Sequence, residues 1–133
     1  MTARILIVED ELLIAIDLEA TLQTLGFEVC GRASNAREAV ELATARQPDL
    51  VLMDVYLEEG CDGTKAAKWL NDACDIPVLF VSGHGGRDTL ERIRRVLPRA
   101  QLFSKPVAPD RLVEAISHET GWTNAEYRLS LKM

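Results

Sequence analysis

An α/β fold, a five-stranded parallel sheet covered on both faces by five helices, is what the order of the chain predicts. Three observations carry this. Short, nearly continuous apolar runs recur along the chain, as in strands buried on both faces. After each comes a longer segment with apolar residues at helical spacing. No internal repeat, low-complexity segment or linker interrupts the alternation, and 133 residues is close to the usual size of one domain. Alternation of this kind yields parallel strands joined by right-handed helical crossovers.

The elements follow in order. Ile5-Leu6-Ile7-Val8 is the first strand. Leu12, Ile14, Leu18, Leu22 and Leu25 then mark a helix that Gly26 stops with a left-handed cap. Phe27 to Gly31 reads as the second strand. Asn35 with Glu38 resembles a capping box for a second helix, whose inner face is Ala36, Ala39, Val40 and Ala43. Pro48 separates it from the third strand, Leu50-Val51-Leu52-Met53. A polar loop from Val55 to Gly63 leads to a helix carrying Ala66, Ala67 and Leu70. Pro77 to Val81 is the fourth strand, ending at Ser82 and Gly83, and Arg87 to Leu97 the fourth helix, with Leu90, Ile93 and Leu97 on one face. Leu102-Phe103 is a short fifth strand. Pro109 suits the first turn of a last helix with Leu112, Val113 and Ile116 inward.

Composition narrows the function classes. Hydrophobic residues make up 47% and charged residues 27%, as in a soluble globular domain. The net charge of -6 and pI near 4.9 argue against general nucleic-acid binding and against an anionic membrane surface. No signal-like start or membrane-length apolar run is present. Cys30, Cys61 and Cys74 are odd in number and lack zinc-ligand spacing, so reduced thiols and a cytoplasmic location are expected.

In a doubly wound parallel sheet the site lies beyond the carboxyl ends of the strands, at the switch point in strand order. That rule selects Glu9, Asp10 and Glu11 after the first strand, Asp54 after the third, Ser82 after the fourth and Lys105 after the fifth. Acidic residues here often only cap the following helix, a role open to Asp10 and Glu11. Convergence on one rim asks for more. Two like charges about 4 Å apart cost on the order of 4 kcal/mol at an effective dielectric near 20. A hard divalent cation relieves this, and magnesium takes one or two carboxylates while leaving positions for phosphate oxygens. Ser82 offers a hydroxyl and Lys105 a positive charge to a phosphoryl group. Asp54 is the nucleophile that would form an acyl phosphate.

On these residues the sequence resembles the receiver domains of two-component response regulators, over about Arg4 to Thr120. Ile5 to Glu11 looks like the family's first strand and acidic pair, and Leu52-Met53-Asp54-Val55 like its acceptor strand end. Asp62-Gly63, Ser82-Gly83 and Lys105-Pro106 sit where the family has its corresponding pairs. The resemblance implies a flavodoxin-like sheet of order 2-1-3-4-5, a receiver domain over 1–120, and a tail over 121–133 with no output domain. It implies a signalling protein rather than an enzyme. Asp54 would accept a phosphoryl group from a sensor histidine kinase or histidine phosphotransfer protein. Asp10, Asp54 and the backbone carbonyl of Tyr56 would hold Mg2+, with Glu9 acting through water. Ser82 and Lys105 would bind phosphoryl oxygens, and the Lys105–Pro106 bond would be cis.

Departures from the family pattern are informative. Glu9 stands where aspartate is commoner, and Ser82 where threonine is. Leu102 stands at the usual switch aromatic, and alternation points Phe103 to the other side of the strand. Phe80-Val81-Ser82-Gly83-His84 is similar to the motif of the FATGUY subgroup of stand-alone receivers. Tyr56, Gly83, His84, Leu102 and Pro106 are therefore expected to modulate the site. A downstream protein would meet the face of helix four, strand five and helix five, where Arg87, Arg92, Arg94, Arg95 and Arg99 cluster. The tail, with Trp122, Tyr127, Leu129, Leu131 and Met133, covers the domain's own surface or joins a homodimer contact. Two competing readings remain: a receiver fold used only for protein contact, and a magnesium-dependent phosphatase. The latter needs a second aspartate where Tyr56 stands.

Overall fold

The computed structural model describes residues 2–55, 57, 63–83 and 87–121. Strands and helices alternate throughout: β1 (Arg4–Val8), α1 (Leu12–Thr24), β2 (Glu28–Ala33), α2 (Ala36–Arg46), β3 (Leu50–Asp54), α3 (Gly63–Cys74), β4 (Val78–Ser82), α4 (Arg87–Arg94), β5 (Leu102–Ser104) and α5 (Pro109–Thr120). The strands form one parallel sheet in the order β2-β1-β3-β4-β5. This is the flavodoxin-like arrangement, with its switch point between β1 and β3.

The central strands are buried on both faces, which is why they read as continuous apolar runs. Alternate side chains feed two cores. Leu6, Val8, Val51, Met53 and Phe80 pack with Ala39, Ala43, Ala66, Ala67, Leu70 and Ile93 of α2, α3 and α4. Ile5, Ile7, Leu50, Leu52 and Leu79 pack on the opposite face with Ala15, Leu22, Leu112, Val113 and Ile116 of α1 and α5.

Helix ends follow local chemistry. Gly26 adopts φ 91°; its N–H donates to the Gln23 carbonyl at 3.0 Å and that of Phe27 to Leu22 at 2.9 Å, closing α1 in a Schellman turn. Asn35 Oδ1 accepts from the Glu38 N–H at 2.9 Å, and the Glu38 carboxylate accepts from the Asn35 side-chain amide at 3.0 Å. Caps of this type stabilise by about 1 kcal/mol. Two details differ from the sequence expectation. Regular α4 ends at Arg94 rather than Leu97, although the Leu97 N–H still bonds the Ile93 carbonyl at 2.9 Å. Leu12 faces solvent instead of the core, because it opens α1 at the sheet rim, beyond the reach of the strands.

Candidate functional site

Register brings the strand ends level. Val8 pairs with Met53, Asp54 with Val81, and Ser82 with Ser104, so Glu9, Asp54, Ser82 and Lys105 meet at one rim. Glu9 extends β1 by one bond, its N–H donating to the Ala33 carbonyl at 2.9 Å. The Lys105 N–H donates to the Ser82 carbonyl at 3.0 Å, which fixes the lysine beside the end of β4.

The acidic group is compact. Glu9, Asp10 and Asp54 each offer a carboxylate oxygen, all within 4.8 Å of one another. Glu9 is 3% and Asp54 7% exposed, so both charges are nearly withdrawn from water, while Asp10 is half-buried. Such charges need partners. The Lys105 ammonium supplies one, donating to Glu9 Oε1 and, at 3.2 Å, to Asp54 Oδ2. Burial presses this ammonium toward neutrality, but its bond to Glu9 and the charges of Asp54 and Glu9 outweigh the burial and raise its pKa. Glu9 Oε2 also accepts from the Glu11 N–H at 3.3 Å. The extra methylene of Glu9 thus lets one carboxylate span from the start of α1 to Lys105. Glu11 is exposed at the N-cap of α1, and its side chain makes no capping bond.

The other expected residues divide. Ser82 is buried at the rim, and Gly83 beyond it is exposed with open space around it. The Lys105–Pro106 bond is cis and Pro106 is exposed. Leu102 packs against the core under α2, α3 and α4, whereas Phe103 lies on the α1–α5 side with the Arg111 guanidinium 5.5 Å from its ring. Among the described residues, β5 itself therefore turns no aromatic ring toward the α4 side. Tyr56, Cys61, Asp62, His84, Gly85, Gly86 and the tail from Trp122 lie outside the described residues. Among the described residues no helix is long and apolar enough to cross a membrane.

Sequence reasoning undervalued Gly63. A Cβ placed there would stand 2.6 Å from the Asp54 carbonyl oxygen and 3.2 Å from Met53 Cγ. The start of α3 thus lies directly against the backbone of Asp54. The Asp62-Gly63 pair in the sequence was the one available signal of this contact.

Known proteins share this arrangement. The chain is 40% identical over 113 residues to the transcriptional regulatory protein PdtaR of Mycobacterium tuberculosis, covering 85% of this chain and 54% of that one. It therefore spans about half the length of that regulator. With the polar-differentiation response regulator DivK of Brucella anthropi it shares 35% identity over 124 residues, 91% of this chain and 98% of the other. The signal receiver domain of a modulated diguanylate cyclase from Desulfovibrio desulfuricans G20 superposes with a TM-score of 0.81 at 33% identity, covering 98% of this chain and 99% of that one. The sequence profile of the response regulator receiver domain matches residues 5–117, nearly the full extent of the sheet and its helices, and the chain belongs to that family of two-component signalling domains.

Proposed function

We propose that this chain is a phosphoryl-accepting switch, with Asp54 taking the group from a phosphohistidine on a sensor histidine kinase or histidine phosphotransfer protein. The observation that supports it most is the placing of a nearly buried Asp54 carboxylate within 3.2 Å of the Lys105 ammonium and next to two further carboxylates. An Asp54 oxygen attacks phosphorus in line. The nitrogen–phosphorus bond breaks, and its electron pair returns to the imidazole of the donor. Lys105 and the Ser82 hydroxyl receive the phosphoryl oxygens that arrive with the group.

Glu9, Asp10 and Asp54 are the residues that would hold Mg2+, together with the Tyr56 carbonyl. The donors fit the ion: all are hard oxygens, and six ligands at about 2.1 Å lie roughly 3 to 4.2 Å from one another, close to the observed grouping within 4.8 Å. Held there, the ion would offset part of the carboxylate charge and of the charge on the incoming phosphoryl oxygens. Tyr56, Gly83 and His84 would govern the access of water to the acyl phosphate. With Leu102 in place of an aromatic, the output would pass through movement of backbone and helix at the α4–β5–α5 face to a downstream protein.

The test is incubation of wild type and Asp54→Asn with a small acyl phosphate donor and Mg2+. Hydroxylamine-sensitive phosphate should accumulate on wild type alone. Equal labelling of both proteins, or of neither, overturns the proposal.

A further inference from the structure

We propose that Arg46, the last residue of α2, is a positioning residue for the rim: it holds a bulge in β2 that sets which β2 carbonyl meets Glu9. Its bearing on phosphoryl transfer rests on the function proposed above. β2 pairs with β1 in two registers. Arg4 and Ile5 lie opposite Glu28 and Val29, but Leu6, Ile7 and Val8 lie opposite Gly31, Arg32 and Ala33. Cys30 is therefore one residue more than β1 matches, a bulge of a kind rare between parallel strands.

Side-chain directions show the same break. Val29 packs on the α1–α5 side and Cys30 on the α2 side, as alternation requires. Gly31 then faces the α2 side again, since a Cβ there would meet Leu6 Cδ1 at 3.4 Å and Leu42 Cδ1 at 3.6 Å. Arg32 reaches Glu19 of α1 at 3.5 Å, and Ala33 returns to the α2 core. Two successive residues thus share one face. Were the register of Ile5 and Val29 to continue, Arg32 would point into the α2 core, and its carbonyl, not that of Ala33, would stand opposite the Glu9 N–H.

Arg46 gives this bulge its support. Its guanidinium donates to the carbonyl of Cys30, the extra residue. It lies over Gly31, with Nη1 3.8 Å from where a Cβ would stand. Its own carbonyl accepts from Arg4 Nη1 at 2.6 Å, which ties α2, β1 and β2 at one corner. Before the bulge, Arg4 also donates to Glu28 at 3.0 Å and, through its backbone N–H, to Asp49 at 2.7 Å. After the bulge the fastening is slighter: the Arg32–Glu19 pair, and the bond of 2.9 Å from the Glu9 N–H to the Ala33 carbonyl. A part-buried carbonyl that loses its donor draws the chain toward another one. The segment after the bulge is the one able to shift. Glu9 passes such a shift on, because its Oε1 accepts from Lys105 and its Oε2 from the Glu11 N–H.

The experiment compares full-length wild type, Arg46→Met, Arg46→Lys, a deletion of Gly31, and that deletion combined with Arg46→Met. Deleting Gly31 leaves Val29, Cys30, Arg32 and Ala33 in strict alternation, so no bulge needs holding. NMR coupling across the hydrogen bond identifies the carbonyl that accepts from Glu9, and hydrogen exchange reports how firmly it does so. We expect coupling to Ala33 in wild type and in Arg46→Lys, which keeps a donor. In Arg46→Met the coupling should vanish or pass to Arg32. Glu9 exchange should then accelerate at least tenfold more than that of Val51 and Phe80, whose N–H groups donate to Pro77 and Gln101, away from β2. Both deletion variants should couple to Ala33. Retention of the Ala33 coupling in Arg46→Met overturns the proposal, as does a rise in Glu9 exchange no larger than that of Val51 and Phe80. A coupling lost in Arg46→Met and not restored by the deletion also overturns it. If Arg46→Met does not fold, a folded double variant coupled to Ala33 supports the proposal and an unfolded one overturns it. If the deletion alone does not fold, the contrast between Arg46→Met and Arg46→Lys decides. No phosphodonor enters these arms. A wild type that takes no label from one refutes the phosphoryl-transfer reading and leaves the role of Arg46 to be decided by the couplings.

Discussion

At Asp54, the proposed acceptor, the tightest constraint is a missing side chain. The Asp54 carbonyl cannot retreat from a Cβ on Gly63 without moving Asp54 itself, because backbone rather than a flexible side chain fills the space. Gly63→Ala should therefore destabilise by about 1–3 kcal/mol, as overpacking does. It should also slow labelling of Asp54, checked by urea melts alongside the phosphodonor assay. Gly83→Ala, which meets open space, is the contrast and should leave stability unchanged within about 0.5 kcal/mol. Lys105 gives a pH prediction. Its folded pKa lies above the ordinary 10.5, so its contribution is fully present below pH 10.5 and is lost as pH rises through the raised value. Alkaline unfolding of Glu9→Gln, which removes the bonded carboxylate, should begin at lower pH than that of wild type.

Among the elements, α1 departs furthest from its simple pattern. The spacing of Leu12, Ile14, Leu18, Leu22 and Leu25 marks a helix correctly, yet Leu12 faces water, joined by Leu13 at 82% exposure and by Ile16. Periodicity reports which residues can share a face; it does not report where the sheet stops supporting that face. Leu12 lines one cleft with Glu9 and Asp10, and Leu13 follows it in the first turn of α1. If Asp54 takes its phosphoryl group from a protein donor as proposed, that donor is expected to meet this exposed apolar turn, whereas a small phosphodonor is not. Leu13→Asp should leave labelling by a small acyl phosphate unchanged and lower transfer from a phosphorylated histidine phosphotransfer protein at least tenfold, measured by phosphotransfer time courses.

For the whole molecule, the sheet's double burial made the fold legible. Val51, Leu52 and Met53 face alternate cores, so the chain spelled out β3 as an unbroken apolar run. The rim was legible for the same reason, because a polar residue directly after such a run has to leave the core. Three-body pairing was not: Glu9 and Lys105 are 96 residues apart, and no local pattern announces that one ammonium serves both Glu9 and Asp54. The acidic group also bears on global stability. An ion that binds only the folded chain stabilises it by about 2.7 kcal/mol at a hundred times its Kd. Added Mg2+ should raise the Tm of wild type in a concentration-dependent way, and Asp54→Asn should shrink the rise. Scanning calorimetry with and without a chelator measures both.

The two outer strands set how this molecule can be recognised. A free strand edge is a template on which another chain can add itself by backbone bonds alone. Here β5 is only three residues long, too short to hold a foreign strand in register. The other border, β2, carries Glu28 and Arg32, held by Arg4 at 3.0 Å and Glu19 at 3.5 Å. Charged, tethered side chains along a border discourage stacking of further strands. Both borders of the sheet thus discourage the addition of a further strand, which favours recognition through side chains, where selectivity rests on shape and charge rather than on the uniform backbone.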